Sequence, residues 1–334
     1  MAYQSNLDIK CKHKREVSKL LKFTGKRFGM ALITLLFVAF ITFTLMNSIP
    51  GSPWLSEKAP SQVTIDALNE KYGLDKPYIV QLGKYVQNLL KGDMGVSLKM
   101  QKNRPVVDII KEMFPLSAKV GAFAVLWAIA VGIPLGCLAA YNRGKWLDGL
   151  LRIITTIGVS IPSFVVASLL LSTFAGRNEA TRFFPTIFNS SLGIRSYILP
   201  CFSLGFYPMC YIARQTRASM LDALGQDYIK TARAKGLKNK TVIFKHALRN
   251  ALIPVITYLG PQIAFVLCGG FVVETVFSIP GLGRYFVQSI INRDYPLIMG
   301  TTIFLSAFLI FMNFLVDVLY KVVDPRIQLT EEDA

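Results

Sequence analysis

At 334 residues the chain is long enough for two soluble domains, yet 52% of it is hydrophobic, only 17% is charged, and the mean hydropathy is +0.44. The apolar residues fall in long unbroken runs, which argues against a soluble globular protein and for an all-α polytopic membrane protein, because a spanning helix needs about 20 apolar residues. The net charge of +17 invites a nucleic-acid reading, which the distribution of that charge along the chain removes.

Residues 1–27 are a basic lead with eight Lys/Arg, read as cytoplasmic and partly helical. The first run, 28–49, follows this lead with no suitable small-residue cleavage site, so a retained first span is expected rather than a cleaved signal. "PGSPW" (50–54) ends it. Residues 50–115 read as an external helical segment of about 65 residues, too short for an enzyme domain. Within it, "SQVTIDALNEKYGLDKP" is a helix with Ser61 as N-cap, Ile65, Leu68 and Tyr72 on one face, and Gly73 at its stop before Pro77. "YIVQLGKYVQNLLKG" is a second, with Ile79, Leu82, Val86 and Leu89/Leu90 at helical spacing.

Further apolar runs at 116–141, 150–175, 197–213, 251–277 and 296–323 complete six expected spans, with a transmembrane core over 116–323 and a cytoplasmic tail at 324–334. The fourth is the weakest, short and carrying Pro200 and Pro208, which neighbouring helices can accommodate. With the N-terminus inside, the inner segments 1–27, 142–149, 214–250 and 324–334 hold eight, two, nine and one Lys/Arg. The short outer segments 176–196 and 278–295 hold three and two. Segment 50–115 holds nine, but seven acids nearly balance them, and long loops weigh little in orientation. Both termini are therefore expected in the cytoplasm, and the excess charge reads as a topology signal.

Other chemistries find little support. Cys11, Cys137, Cys201, Cys210 and Cys268 lie in the lead or in apolar runs, where they read as packing residues rather than a disulfide framework. With only His13 and His246, no His-built metal site can be assembled. No G-x-x-x-x-G-K-[ST] phosphate loop, H-E-x-x-H or G-x-S-x-G occurs, so neither ATP binding by that route nor a recognisable hydrolase is expected.

The connection 214–250 is the most informative stretch. "DYIKTARAKGLKNKTVIFKHALRNALIP" (227–254) carries seven Lys/Arg against one acid. Asp227 suits an N-cap, Gly236 a left-handed stop, and Leu237 the apolar contact that follows such a stop. Thr241 can cap a second helix whose apolar positions are Ile243, Ala247, Leu248 and Ala251. A basic helix on lipid, a solvated inner loop and a protein-docking knob are all compatible with this pattern. The small residues Ala232, Ala234 and Gly236 favour the third, since they let another backbone approach closely.

At these residues a resemblance enters. "TARAKGL" followed by "HALRNALIP" resembles the EAA loop of permease subunits of bacterial ABC importers, in the oligopeptide/dipeptide/nickel group. The general pattern has Glu where this chain has Lys230 and Pro where it has Arg249, so a salt bridge from the Glu position is not implied. "LMNSIPGSP", "YGLDKPYIVQLGKYVQNLLKGDMGVSLK", "VSIPSF", "ETVFSIPGLGRYFVQSIINRDYPLIMG" and "NFLVDVLYKVVDPRI" are similar to the same group, in its order and across nearly the whole chain. The stretch 50–77 is most similar to B-type oligopeptide permeases.

The resemblance implies a type I ABC importer permease fold of six transmembrane helices. It implies a homologous second permease as heterodimer partner, two cytoplasmic ATP-binding subunits and an extracytoplasmic peptide-binding protein, with lipid but no nucleic acid as other company. ATP and Mg would be bound by the ATPases, leaving this chain without a cofactor or a catalytic site. The coupling helix would be Thr231, Ala232, Arg233, Ala234, Lys235, Gly236 and Leu237. Uptake of oligopeptides is the expected function; the same architecture importing dipeptides, nickel chelates or another small solute is the alternative. An ATP-independent secondary transporter would need mid-depth ion-coordinating charges or a two-fold repeat, and neither is visible.

Residues at membrane depth give the remaining candidates. Ser160 and Pro162 in "SIPSF", and Gly269 and Gly270 in "CGG", would loosen or narrow helices, lining a pathway or merely permitting close packing. Glu274 is either a gate residue or an ion-pair partner of Arg284 that pins the outer loop. Asn313 and Asp317 read as interhelical hydrogen-bonders, Lys119 as a snorkelling residue, and Arg214 and Arg217 as interfacial anchors. Gly73, Leu74 and Asp75 with Pro280, Gly281 and Gly283 of the "PGLGRY" turn are the expected contact for the substrate-delivering protein.

Overall fold

The computed structural model describes residues 2–48, 75–175, 183–268 and 270–323, with side chains described for 25–48, 75–175, 183–268 and 270–316. Residues 61–74 of the expected first external helix and the tail at 324–334 lie outside the described residues.

Helix α1 (Ala2–Ser48) runs from the basic lead through the first apolar run. Helix α2 (Tyr78–Leu90) lies against its far end, where Tyr78 packs edge-on to Phe43 at 5.1 Å. Helix α3 (Val106–Tyr141) starts ten residues before the apolar run. Its first turns carry Asp108, Lys111 and Glu112, yet Ile109, Ile110 and Met113 at helical spacing are buried. Helix α4 (Trp146–Ser160) and helix α5 (Ser163–Phe174) form one apolar pair bent by 105°. The cause is local. Pro162 has no N–H to donate and forces Ile161 out of the helical region, to φ −88° and ψ 123°.

Helix α6 (Arg195–Leu224) passes straight through Pro200 and Pro208 and continues well beyond residue 213. Helix α7 (Asp227–Ala234) follows. A short turn at Asn239–Thr241 and a π-helical segment Val242–Ala247 then lead into α8 (Leu248–Leu267). Helix α9 (Phe271–Val276), α10 (Leu282–Asn292) and α11 (Tyr295–Val323) complete the chain. Among the described residues five helical stretches are long and apolar enough to cross a membrane, or six if the bent α4–α5 pair is one span.

The centre of the bundle is the crossing of α3 and α6, the most extensive helix pair among the described elements. Small residues set its distance. A Cβ on Gly132 would lie 2.8 Å from the Met209 carbonyl oxygen, one on Gly136 2.5 Å from that of Ala213, and one on Gly205 2.6 Å from that of Ala124. Gly132 and Gly136 stand four apart, on one face, and admit backbone-to-backbone contact that no larger residue allows. Gly136→Val is expected to destabilise the protein by about 2–3 kcal/mol, read as a lowered melting temperature in detergent. Gly149→Val, where nothing lies within 4 Å of a Cβ, is the matched control and should melt like the parent.

Candidate functional site

Three groups of residues sit where chemistry or contact with another molecule is available. The first is the α7 segment at one end of the bundle. Gln226, not Asp227, is the N-cap residue, and no side chain caps the helix. Asp227 instead occupies the first turn, where a carboxylate favours the helix dipole, and accepts from Lys230 Nζ at 2.9 Å. The C-terminal end is a Schellman motif. Gly236 has φ +75°, its N–H donates to the Arg233 carbonyl at 2.9 Å, and the Leu237 N–H donates to the Ala232 carbonyl at 3.4 Å.

Helix α7 has two distinct faces. Ile229 and Ala232 are buried against Met220 and Ala223 of α6, Val242, Ile243 and Ala247 of the π-helical segment, and Cys137 and Ala140 of α3. Ala232 therefore belongs to the packing beneath the helix, not to the surface it presents. Thr231, Arg233, Ala234, Lys235, Gly236 and Leu237 are exposed. The knob is rigidly seated and its outward surface is free.

The second group surrounds the α4–α5 break. Ser160 and Pro162 line an open cleft of about 320 Å³ against Leu204 and Tyr207 of α6 and Gln262 and Phe265 of α8. Gly269 lies outside the described residues. Gly270 lets α6 approach closely, since a Cβ there would meet Leu204 Cδ1 at 2.5 Å.

The third group joins α9, the turn after it and α3, at the end opposite α7. Glu274 is 1% exposed. The guanidinium of Arg284 does not pair with it; the backbone N–H of Arg284 donates to Glu274 Oε2 at 3.0 Å, while the guanidinium donates to the Ser278 carbonyl at 3.1 Å. Ser117 of α3 accepts from the Leu282 N–H at 2.8 Å. The carboxylate thus holds the turn through backbone rather than through an ion pair. Gly281 and Gly283 are buried because they must be: a Cβ on Gly281 would lie 2.5 Å from both Glu274 Oε2 and Ser117 Oγ. Of the expected outer contact residues, Pro280 and Asp75 are exposed, Gly281 and Gly283 are not, and Gly73 and Leu74 lie outside the described residues.

Two polar constellations were not anticipated from the sequence. Arg217 is more than an interfacial anchor: its Nε and an Nη donate to the two oxygens of buried Asp148 at 2.6 and 2.9 Å, and the Gly144 N–H donates to the same carboxylate at 3.1 Å. This fork fastens the α3–α4 turn to α6. At the opposite end, Asp294 is fully buried between α10 and α11 and accepts four bonds from residues 97–100. The donors are the Ser97 hydroxyl at 2.5 Å and the backbone N–H groups of Leu98, Lys99 and Met100 at 3.0, 3.1 and 3.0 Å. The signal in the sequence was weak, a single acid beside an apolar run in each case.

The described residues thus form a bundle of long apolar helices, with the half-exposed helix α7 at one end and a carboxylate-held turn at the other. Comparison with known proteins specifies it. Residues 132–329 match the family described as binding-protein-dependent transport system inner membrane component, and residues 20–121 match its N-terminal counterpart. The chain belongs to this family and is a multi-pass membrane protein. It is 44% identical to the dipeptide transport system permease protein DppB of Bacillus subtilis, over 91% of this chain and 97% of that one. It is 39% identical to the oligopeptide transport system permease protein OppB of Salmonella typhimurium, over 92% of this chain and all of that one. A solved structure of the inward-facing MetNI methionine ABC transporter shares the fold, with a TM-score of 0.51 at 16% identity, covering 65% of this chain and 97% of that chain.

Proposed function

We propose that the chain is one of two membrane-spanning permeases of an ATP-driven ABC importer of peptides. On this reading the chain has six spans, the bent α4–α5 pair counting as one, with both termini and α7 on the cytoplasmic side. The names and extents of its relatives support peptides, and oligopeptides in particular, as the cargo. Its partners are a homologous second permease, two cytoplasmic ATPases that bind ATP and Mg, and an external peptide-binding protein. The chain itself binds no cofactor and hydrolyses nothing.

The observation that carries this reading is α7: a helix whose inner face is locked into the bundle through Ile229 and Ala232 while its outer face stands bare. When the ATPases close, a lever seated in this way moves as a rigid body. It pushes on α6 through Met220 and Ala223, and on α8 through the π-helical segment. A π-helix is a local mismatch in the hydrogen-bond ladder, a natural place for that motion to be taken up. At the other end, the Glu274 and Asp294 networks keep the outer platform in one piece while the spans below it move.

Purification of the tagged chain from its native cell in mild detergent tests the assembly. Two ATPases, a second permease and an external binding protein are expected to copurify, with ATP hydrolysis stimulated by peptide. A chain that purifies alone and transports peptide without ATP would overturn the reading.

A further inference from the structure

We infer that the cleft at the α4–α5 break is where the translocated peptide passes, and that Gln262 and Tyr207 engage its backbone amides rather than its side chains. The inference rests on the peptide-importer reading above and adds to it a site and a mode of recognition.

The argument begins with depth. At 1.5 Å per residue, Tyr207 lies about 18 Å along α6 from its Arg195 end, and Gln262 about 21 Å along α8 from its Leu248 end. Both therefore fall inside a hydrocarbon layer about 30 Å thick. Neither the Gln262 amide nor the Tyr207 hydroxyl has a hydrogen-bond partner among the described residues, and both border an open cleft. Ser160 and Ser163 reach the same space. Polar groups left unpaired against lipid are costly, so the Gln262 amide and the Tyr207 hydroxyl meet water, a polar ligand or the adjoining permease rather than lipid. The surrounding surface differs: Ile153, Ile157, Phe164 and Leu169 are exposed and wholly apolar.

The chemistry of the lining narrows the ligand. Among the described residues no Asp, Glu, Lys or Arg borders the cleft. A primary amide carries both a donor and an acceptor, which complements a peptide bond, and a phenol and two hydroxyls can also do both. Such a lining holds a main chain without preferring any charge on its side chains. The broken backbone at 161–162 also keeps the cleft open where an unbroken helix would fill it. Charge neutrality is thus the device that makes the path permissive, with selection left to whatever delivers the peptide.

The test places a charge in the cleft. The complete importer is reconstituted into proteoliposomes, and ATP-driven uptake is compared for trialanine, trilysine and triglutamate. For Gln262→Lys, trilysine uptake relative to trialanine is expected to fall at least tenfold while triglutamate uptake is retained; Gln262→Glu should invert that preference. Gln262→Ala should slow all three peptides alike. Should the position 262 variants fail to assemble, Ser160→Lys and Ser160→Asp carry the same charges on an exposed residue of the same cleft. A parent that imports peptide, together with assembled variants that show no charge bias, overturns the cleft assignment alone. A parent complex that imports none of the three peptides overturns the peptide reading and this inference with it.

Discussion

Gly236→Asp is expected to leave the protein folded and in the membrane but to cut peptide-stimulated ATP hydrolysis at least tenfold. The physical separation of the two effects comes from the site itself. Gly236 sits at φ +75°, where an L-residue is strained by roughly 1–2 kcal/mol, and Asp tolerates that region better than most. No atom of the described residues lies within 4 Å of the position a Cβ would take, so nothing among them resists the side chain. The Schellman bonds run through backbone and can persist. What changes is the bare surface: a carboxylate is added where a partner's backbone is proposed to seat. Gly236→Asn, similar in size and in left-handed tolerance but uncharged, is expected to lose less. Measurement of ATP hydrolysis by the purified complex, alongside the amount of ATPase subunit retained, decides the matter. Normal stimulation in the Asp variant would mean that this end of α7 is not a docking surface.

That prediction is possible because the relevant features of α7 are local, and local features are what a sequence displays. A glycine followed by an apolar residue announces a helix stop, and Pro162 announces a break. The angle of that break, 105°, is set by packing and was not legible. Helices outrun the apolar runs where amphipathic turns continue them. The buried residues Thr216, Ser219, Met220 and Ala223 carry α6 well past residue 213, though the stretch is too polar to read as membrane core. The direction of Ala232 was available in principle: Ile229 stands three positions before it, and an i, i+3 pair shares a face.

The unpredicted polar sites share one property, long separation in sequence. Asp148 meets Arg217 across 69 positions, and Asp294 meets Ser97 across 197. No spacing rule pairs such groups; only the fold does. Glu274 shows the same limit in another form. Arg284 is a sensible ion-pair partner by charge, yet the turn places its backbone N–H on the carboxylate and directs the guanidinium to a carbonyl.

Asp294 gives the second large effect, on stability. Its carboxylate is the common acceptor for the 97–100 turn: Oδ2 takes the Ser97 hydroxyl and the Lys99 and Met100 N–H groups, and Oδ1 takes the Leu98 N–H. The turn has no helix or sheet of its own to satisfy those donors, so without the acceptor they are left unpaired in a buried to half-buried turn. Asp294→Asn is nearly isosteric but has only one acceptor oxygen. Whichever way the amide is placed, its NH₂ faces at least one donor, and the charge assistance is gone. A loss of about 2–3 kcal/mol is expected, and about 4 kcal/mol or more for Asp294→Ala, which orphans all four donors. Both should appear as lowered melting temperatures in detergent and as faster proteolysis within 93–105, with the α7 end unaffected. Because the turn also carries Gln101, bonded to Tyr285 at 2.9 Å, loosening it should propagate into α10. If Asp294→Asn melts like the parent, the four bonds contribute nothing net, and this end of the bundle must be held by its apolar contacts alone: Ile109, Leu282 and Leu297 beneath the turn, and Phe114 against Phe304.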